Sequence, residues 1–130
     1  MTAVVLTTVG KGWIIDKYTD LATATGPGTA TEQWIAWGTG GSSTGGTATA
    51  GDTTLKAAAT EARVAATVSQ PSADTAQFVG TLTAGTAKTI EEVGLLTATA
   101  GGILEIRANH GGVALATGDS IQYTIQLQQT

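Results

Sequence analysis

One hundred and thirty residues with a formal net charge of −4, only 12% of them charged and none of them cysteine, make a single domain large enough to bury a core. That balance lacks the basic surface a phosphate backbone requires, which argues against nucleic acid as a partner, and it rules out disulfide frameworks and cysteine-ligated zinc. Apolar residues reach 42%, much of it alanine, and with the abundance of Thr and Gly this composition favours short strands and tight turns over helices.

The opening Met1-Thr2-Ala3-Val4-Val5-Leu6 carries no basic region, and its apolar run falls far short of the roughly 20 residues that cross a bilayer. Neither a targeting signal nor a membrane is expected. Val5, Val9, Trp13 and Tyr18 then recur at steps of about four, the period of an amphipathic helix, interrupted by Gly10 and Gly12. Val4 to Val9 is equally β-prone, so residues 1–24 read either as a short helix or as an extended arm that reaches a neighbouring subunit. The turn Thr25-Gly26-Pro27-Gly28 separates this segment from the remainder, 30–130, which reads as one all-β domain.

Glu32 to Gly38 is a compact strand with two tryptophans, and it belongs in the centre of a sheet. Trp34 and Trp37 stand at odd spacing and point to opposite faces; one fills the core and the other lies at a surface or interface. Two exposed tryptophans would instead suggest glycan stacking. The loop Gly38-Thr39-Gly40-Gly41-Ser42-Ser43-Thr44-Gly45-Gly46 invites a nucleotide-binding reading, but Ser43 stands where the dinucleotide pattern needs a third glycine. The phosphate-loop lysine is missing as well, since no lysine follows until Lys56. A flexible surface loop is the better reading.

Asp52 ahead of Ala57-Ala58-Ala59 predicts one or two helical turns over 52–61, with Asp52 as the N-cap. Val64, Ala66 and Val68 then alternate with Arg63, Ala65, Thr67 and Ser69, as in a strand with one buried face. Pro71-Ser72-Ala73-Asp74 turns it into a strand with Phe78, Gly80 and Leu82 on one side, and Ala84-Gly85-Thr86-Ala87 turns that strand in its own right. Ile90 to Leu96 and Ile103 to Ala108 form a long hairpin closed by Thr99-Ala100-Gly101-Gly102. Within it Glu92 lies among core residues and must reach water or a cation; Arg107 and Arg63 are the candidate partners. Asn109-His110-Gly111-Gly112 and Leu115 to Asp119 read as turns. In the last strand Ile121, Tyr123, Ile125 and Leu127 oppose Gln122, Thr124, Gln126 and Gln128, a clean alternation of apolar and amide faces. Strands recurring about every ten to fifteen residues point to an antiparallel β-sandwich or jelly roll.

Reactive constellations are not marked. His110 is the single histidine and stands in a predicted turn, where it is solvated, so neither a multi-histidine zinc site nor a Ser-His-acid grouping is indicated. Asp16, Asp20, Asp52, Asp74 and Asp119 are scattered and form no calcium loop. Glu91 and Glu92 are adjacent strand residues that point to opposite faces, so they do not flank one bond. The Thr-Ala stretches at Ala22 to Thr25, Thr47 to Thr49 and Thr97 to Thr99 have no fixed period, which argues against a solenoid. No catalytic, cofactor-binding or metal-ligating residue is expected, and no cofactor.

Five features in order carry a family resemblance. They are Trp34-Ile35-Ala36-Trp37-Gly38-Thr39-Gly40, Asp52-Thr53-x-Leu55 with Glu61-x-Arg63, Ile90-x-Glu92-Val93-Gly94-Leu95, a Gly-Gly turn before an Arg-bearing strand, and Gly118-Asp119-Ser120-Ile121-x-Tyr123-Thr124-Ile125. Together they resemble small bacteriophage virion proteins, often capsid decoration (cement) proteins, with related β-domains in tail-fibre and collar proteins. The resemblance covers Trp34 to the end; Trp13 and Asp16-Lys17-Tyr18 have no counterpart. It implies a non-enzymatic virion component, a homotrimer at three-fold positions of the capsid that is made in the host cytoplasm and bound to the major capsid protein. A tail-fibre or baseplate attachment domain, or a carbohydrate-binding domain using Trp34 or Trp37, is the alternative. On the cement reading the apolar segment from Met1 to about Tyr18, which has no evident place in the sandwich, makes the contact with the shell.

Overall fold

The computed structural model describes residues 4–10, 33–41, 46–72 and 75–128. Their strands are β1 (Val4–Leu6), β2 (Trp34–Gly38), β3 (Val64–Ala65), β4 (Thr67–Ser72), β5 (Thr75–Thr83), β6 (Lys88–Leu96), β7 (Leu104–Leu115) and β8 (Ser120–Gln128). A five-stranded sheet runs β1-β7-β6-β2-β3, a three-stranded sheet runs β4-β5-β8, and every pairing is antiparallel. Ile35 and Trp37 of β2, Ile90, Val93 and Leu95 of β6 and Ile106 of β7 pack against Phe78 and Leu82 of β5 and Ile125 of β8 in one buried cluster. The chain is therefore an antiparallel β-sandwich, its layers held by the period-two apolar residues of both sheets.

The predicted β6–β7 hairpin forms, with Leu95 opposite Ile106 and Val93 opposite Ala108. The strand predicted over Val64 to Gln70 is instead split at Ala66, where the chain leaves the five-stranded sheet for the three-stranded one. Ala66 N–H still bonds Gln33 O at 2.9 Å, while Thr67 already pairs with Val79. β8 follows its alternation, with Ile125 buried and Gln122, Thr124 and Gln126 exposed. Pro71 and Ser72, read as turn residues, finish β4, and residues 73–74 lie outside the described residues.

Three further expectations are corrected. Asp52 to Glu61 is not helical. Thr39 N–H reaches Ala57 O and Ala59 N–H reaches Trp37 O, so these alanines lie extended along β2, with a bridge between Gly38 and Ala58. Long-range main-chain bonds outweigh the helix propensity of alanine, which is the highest of any residue yet amounts to under about 1 kcal/mol per position. Asn109-His110-Gly111-Gly112 is not a turn but part of β7: Glu92 faces Asn109 and Ile90 faces Val113, so the extra residues bulge out of the ladder. Glycine in a strand commonly marks such a bulge.

The third correction concerns the N-terminal segment, which has a place in the sandwich. Val4, Val5 and Leu6 pair with Ala108, Arg107 and Ile106. Thr7 is fully buried, its hydroxyl donating to Leu104 O and accepting from Gly10 N–H at 3.0 Å as the cap of the helical residues Thr8 to Gly10. The segment thus begins extended and turns helical; the helix period beyond Gly10 and the turn at Thr25 to Gly28 lie outside the described residues. Removing residues 1–7 should uncover the edge of β7 and lower the unfolding free energy by about 1–3 kcal/mol, the range for losing several buried main-chain and capping hydrogen bonds. Urea denaturation of the truncated chain checks this; an unchanged midpoint would mean that β1 contributes nothing.

Candidate functional site

Glu92 and Arg107 share the outer face of the five-stranded sheet, on neighbouring strands β6 and β7, and both are sealed from solvent. Arg107 Nε and Nη2 approach Glu92 Oε2 at 2.8 and 2.7 Å. The main-chain N–H groups of Ala57 (2.8 Å) and Gly40 (3.3 Å) donate to Oε1, and that of Lys56 (3.0 Å) donates to Oε2. Arg107 Nη1 reaches Asp52 Oδ2 at 2.8 Å, and its Nη2 also donates to Gly46 O at 2.5 Å. Asn109, one pleat along, accepts from Ala48 N–H and donates to Gly40 O. Every polar edge of the pair is therefore occupied, the condition under which buried charges are tolerated.

Glycine is required where this cluster meets the loop. A Cβ on Gly40 would stand 2.6 Å from Lys56 Cβ and 2.8 Å from Glu92 Oε1. The loop read as a flexible surface feature is corrected at Gly38, Gly40, Gly41 and Gly46, all buried. Its Gly40 N–H and its Gly40 and Gly46 carbonyls are engaged by Glu92 and Arg107 within the protein. Asp52, read as a helix cap, is a partner of Arg107. Burial alone would raise its carboxyl, but Thr49 N–H, Arg107 and the Thr49 hydroxyl together hold it below the usual carboxylate range.

Of the two arginines offered to Glu92, Arg107 takes the role and Arg63 does not. Arg63 Nη1 binds the carbonyls of Ala98 (2.6 Å) and Gly101 (2.9 Å) and so pins the β6–β7 loop. Glu61 accepts from the Trp37 indole N–H at 3.0 Å and pairs with Lys88, which holds its carboxyl below the usual range. Trp37 is 1% exposed and cannot serve as a sugar-stacking platform, while Trp34 is half-buried.

Glu105, which the sequence reading passed over, lies in the bulge where Leu96 faces Leu104 and Leu95 faces Ile106. It is buried beside Gln33, whose Nε2 donates to it at 3.1 Å, and burial pushes its carboxyl up to about 7. The signal was the one that singled out Glu92: a carboxylate between two apolar strand residues.

His110, expected in a solvated turn, is half-buried in β7, and its Nε2 lies 2.8 Å from the Tyr123 hydroxyl of β8. Burial raises the Tyr123 phenol well above its ordinary range. The pair stands in a cleft of about 540 Å³ on the open side of the sandwich, walled by Val93, Ile106, Ala108, Ile121 and Ile125. Among the described residues no carboxylate lines it, and no three His, Asp or Glu side chains converge on a point that could hold a metal ion. The cleft thus sets an imidazole and a phenol, bonded to each other, into an apolar wall.

Two predictions follow from these buried carboxylates. Glu92→Ala should destabilise the fold by about 3–5 kcal/mol, because buried Arg107 keeps only Asp52 as a carboxylate partner and three main-chain N–H groups lose their acceptor, and Glu92→Gln by less because it keeps one carbonyl acceptor. Equal denaturant midpoints for the two variants would contradict that account. Glu105 works in the other direction. A carboxyl raised from 4.5 to about 7 in the folded state binds more protons there than in the unfolded chain between those pH values, so its contribution to stability falls as pH rises across that window. Asp52 and Glu61, held low, contribute stability that is lost only as pH drops through their folded values. Glu105→Gln should therefore stabilise the protein at pH 8 by roughly 1–3 kcal/mol and flatten the decline seen between pH 4.5 and 7. Melting curves over that range read it out. Searches against protein-family models, curated proteins and solved structures find no match to this chain, so the geometry of its own residues is what bears on function.

Proposed function

We propose that this chain is a non-enzymatic virion structural protein that decorates the outside of an assembled bacteriophage capsid as a homo-oligomer and stabilises it. One observation carries the reading. The charged side chains best placed for chemistry, Glu92, Arg107, Asp52, Glu61 and Lys88, are bound to one another within the fold. What the surface offers instead is an apolar cleft beside a nine-residue strand, β8, at the edge of its sheet. Such a surface associates with other polypeptide. The motif order from Trp34 onward, which resembles capsid decoration proteins, supplies the kind of partner: the major capsid protein.

A small rigid oligomer can hold a shell without any strong single contact, because linked modest contacts raise avidity by ~10²–10⁴. Binding the closed shell and not dispersed subunits then shifts the equilibrium toward the assembled state. The test mixes the purified chain with assembled shells, and separately with dispersed subunits, of the major capsid protein encoded in the same genome. Co-sedimentation with shells alone, together with a raised shell melting temperature, is expected. Immunogold labelling confined to tails, or equal binding to shells and subunits, would overturn the reading.

A further inference from the structure

We infer that two copies of this chain pair edge to edge through β8, antiparallel about a two-fold axis at Thr124, to form one continuous six-stranded sheet. The inference starts from how differently the sheet edges are treated. β1 and β3 are three and two residues long, and β4 carries Pro71 and an irregular register, all devices that blunt an edge against further pairing. The part of β7 that extends beyond β1 is interrupted by its Gly111-Gly112 bulge. β8 has none of these. It runs nine residues, Ser-Ile-Gln-Tyr-Thr-Ile-Gln-Leu-Gln, in unbroken register with β5, without a charge, a proline or a glycine.

The direction of its main-chain groups follows from the neighbouring bonds. Ala84 N–H donates to Asp119 O and Ala84 O accepts from Gly118 N–H, so alternate residues of β5 in phase with Ala84 bond toward β8. Their partners Ile121, Tyr123 and Ile125 therefore bond inward, and Gln122, Thr124 and Gln126 aim N–H and C=O outward. Among the described residues no strand pairs with that side.

A second β8 centred on Thr124 matches this edge in both hydrogen bonding and side chains. Thr124 then faces Thr124 of the other copy and Gln122 faces Gln126, so the outward-aimed residues are the ones that meet, giving about six main-chain bonds over the three central pairs. On the exposed face the amide pair Gln126 to Gln77, at 2.8 Å, continues onto Gln122 of the other copy. On the inner face Tyr123 meets Ile125 and Ile121 meets Leu127, beside the apolar cleft. The chain carries a net charge of −4, yet none of it lies on this strand, so two copies meet there without facing like charges. The register is self-complementary, as a two-fold contact requires. It yields a closed pair and not the three-fold ring implied by the family resemblance.

The test uses the full chain alone, independent of any capsid. Sedimentation equilibrium should give twice the 12.9 kDa chain mass. Thr124→Pro removes an outward N–H that no strand among the described residues of one copy pairs with, and Thr124→Lys places two ammonium groups against each other at the axis. Each should weaken dimerisation by about ten-fold or more while the far-ultraviolet spectrum stays that of the sandwich. Should either variant unfold, Thr124→Cys decides. The chain has no other cysteine, and the ~5.5 Å Cα separation of a hydrogen-bonded pair admits a disulfide, so mild oxidation should give a covalent dimer. A monomeric wild type, an oligomer that persists in both variants, or an oxidised Thr124→Cys chain that stays monomeric would overturn the inference. Loss of shell binding with the dimer intact would fault the capsid reading alone.

Discussion

The buried pair of Glu92 and Arg107 organises the described chain between β2 and β3. A carboxylate and a guanidinium withdrawn from water cost several kcal/mol apiece, and their mutual attraction offsets that only when their remaining lone pairs and protons find partners. Here those partners are main-chain groups at Gly40, Gly46, Lys56 and Ala57 and the side chain of Asp52. Satisfying the charges thus folds a long, glycine- and threonine-rich stretch of chain down onto the five-stranded sheet. The glycines at 38 and 40 are the consequence, since any side chain there would enter the space of the Glu92 carboxylate or the strand beside it.

This arrangement gives the sandwich two unlike outer faces. The five-stranded sheet is covered on both sides, by the three-stranded sheet over its inner apolar residues and by its own loops over Glu92, Arg107 and a small cluster of Ala36, Leu55, Leu96 and Leu104. The three-stranded sheet presents an exposed face of Gln and Thr side chains and, at β8, an edge that no strand among the described residues covers. The proposed association falls on this edge and face. The cleft beside His110 and Tyr123 lies between β7 and β8, which no strand among the described residues joins.

The proposed function by association suits a chain whose charges at Glu92, Arg107, Asp52, Glu61 and Lys88 are spent on holding its own loops and strands in place. A polar core that fixes a single arrangement of loops also keeps the outer surface rigid, and rigidity is what lets several modest contacts act together on a large assembly.

The residues determined a good deal without the structure. The all-β class, the β6–β7 hairpin, the faces of β8 and the need of Glu92 for a cation were legible, because each depends on period-two patterning or on the cost of a buried charge, both local properties of a strand. Tertiary structure decided the rest. Asp52 to Glu61 carries a helix signal, yet bonds to Glu92 and β2 from far along the chain hold it extended. Asn109 to Gly112 carries a turn signal that the ladder with β6 absorbs as a bulge. Arg107 and not Arg63 joins Glu92, since the β6–β7 ladder sets Arg107 beside Glu92 while Arg63 bonds the loop carbonyls of Ala98 and Gly101. Local sequence states what a segment prefers when isolated, in terms of a few tenths of a kcal/mol per residue, and one satisfied buried charge several strands away outweighs that preference.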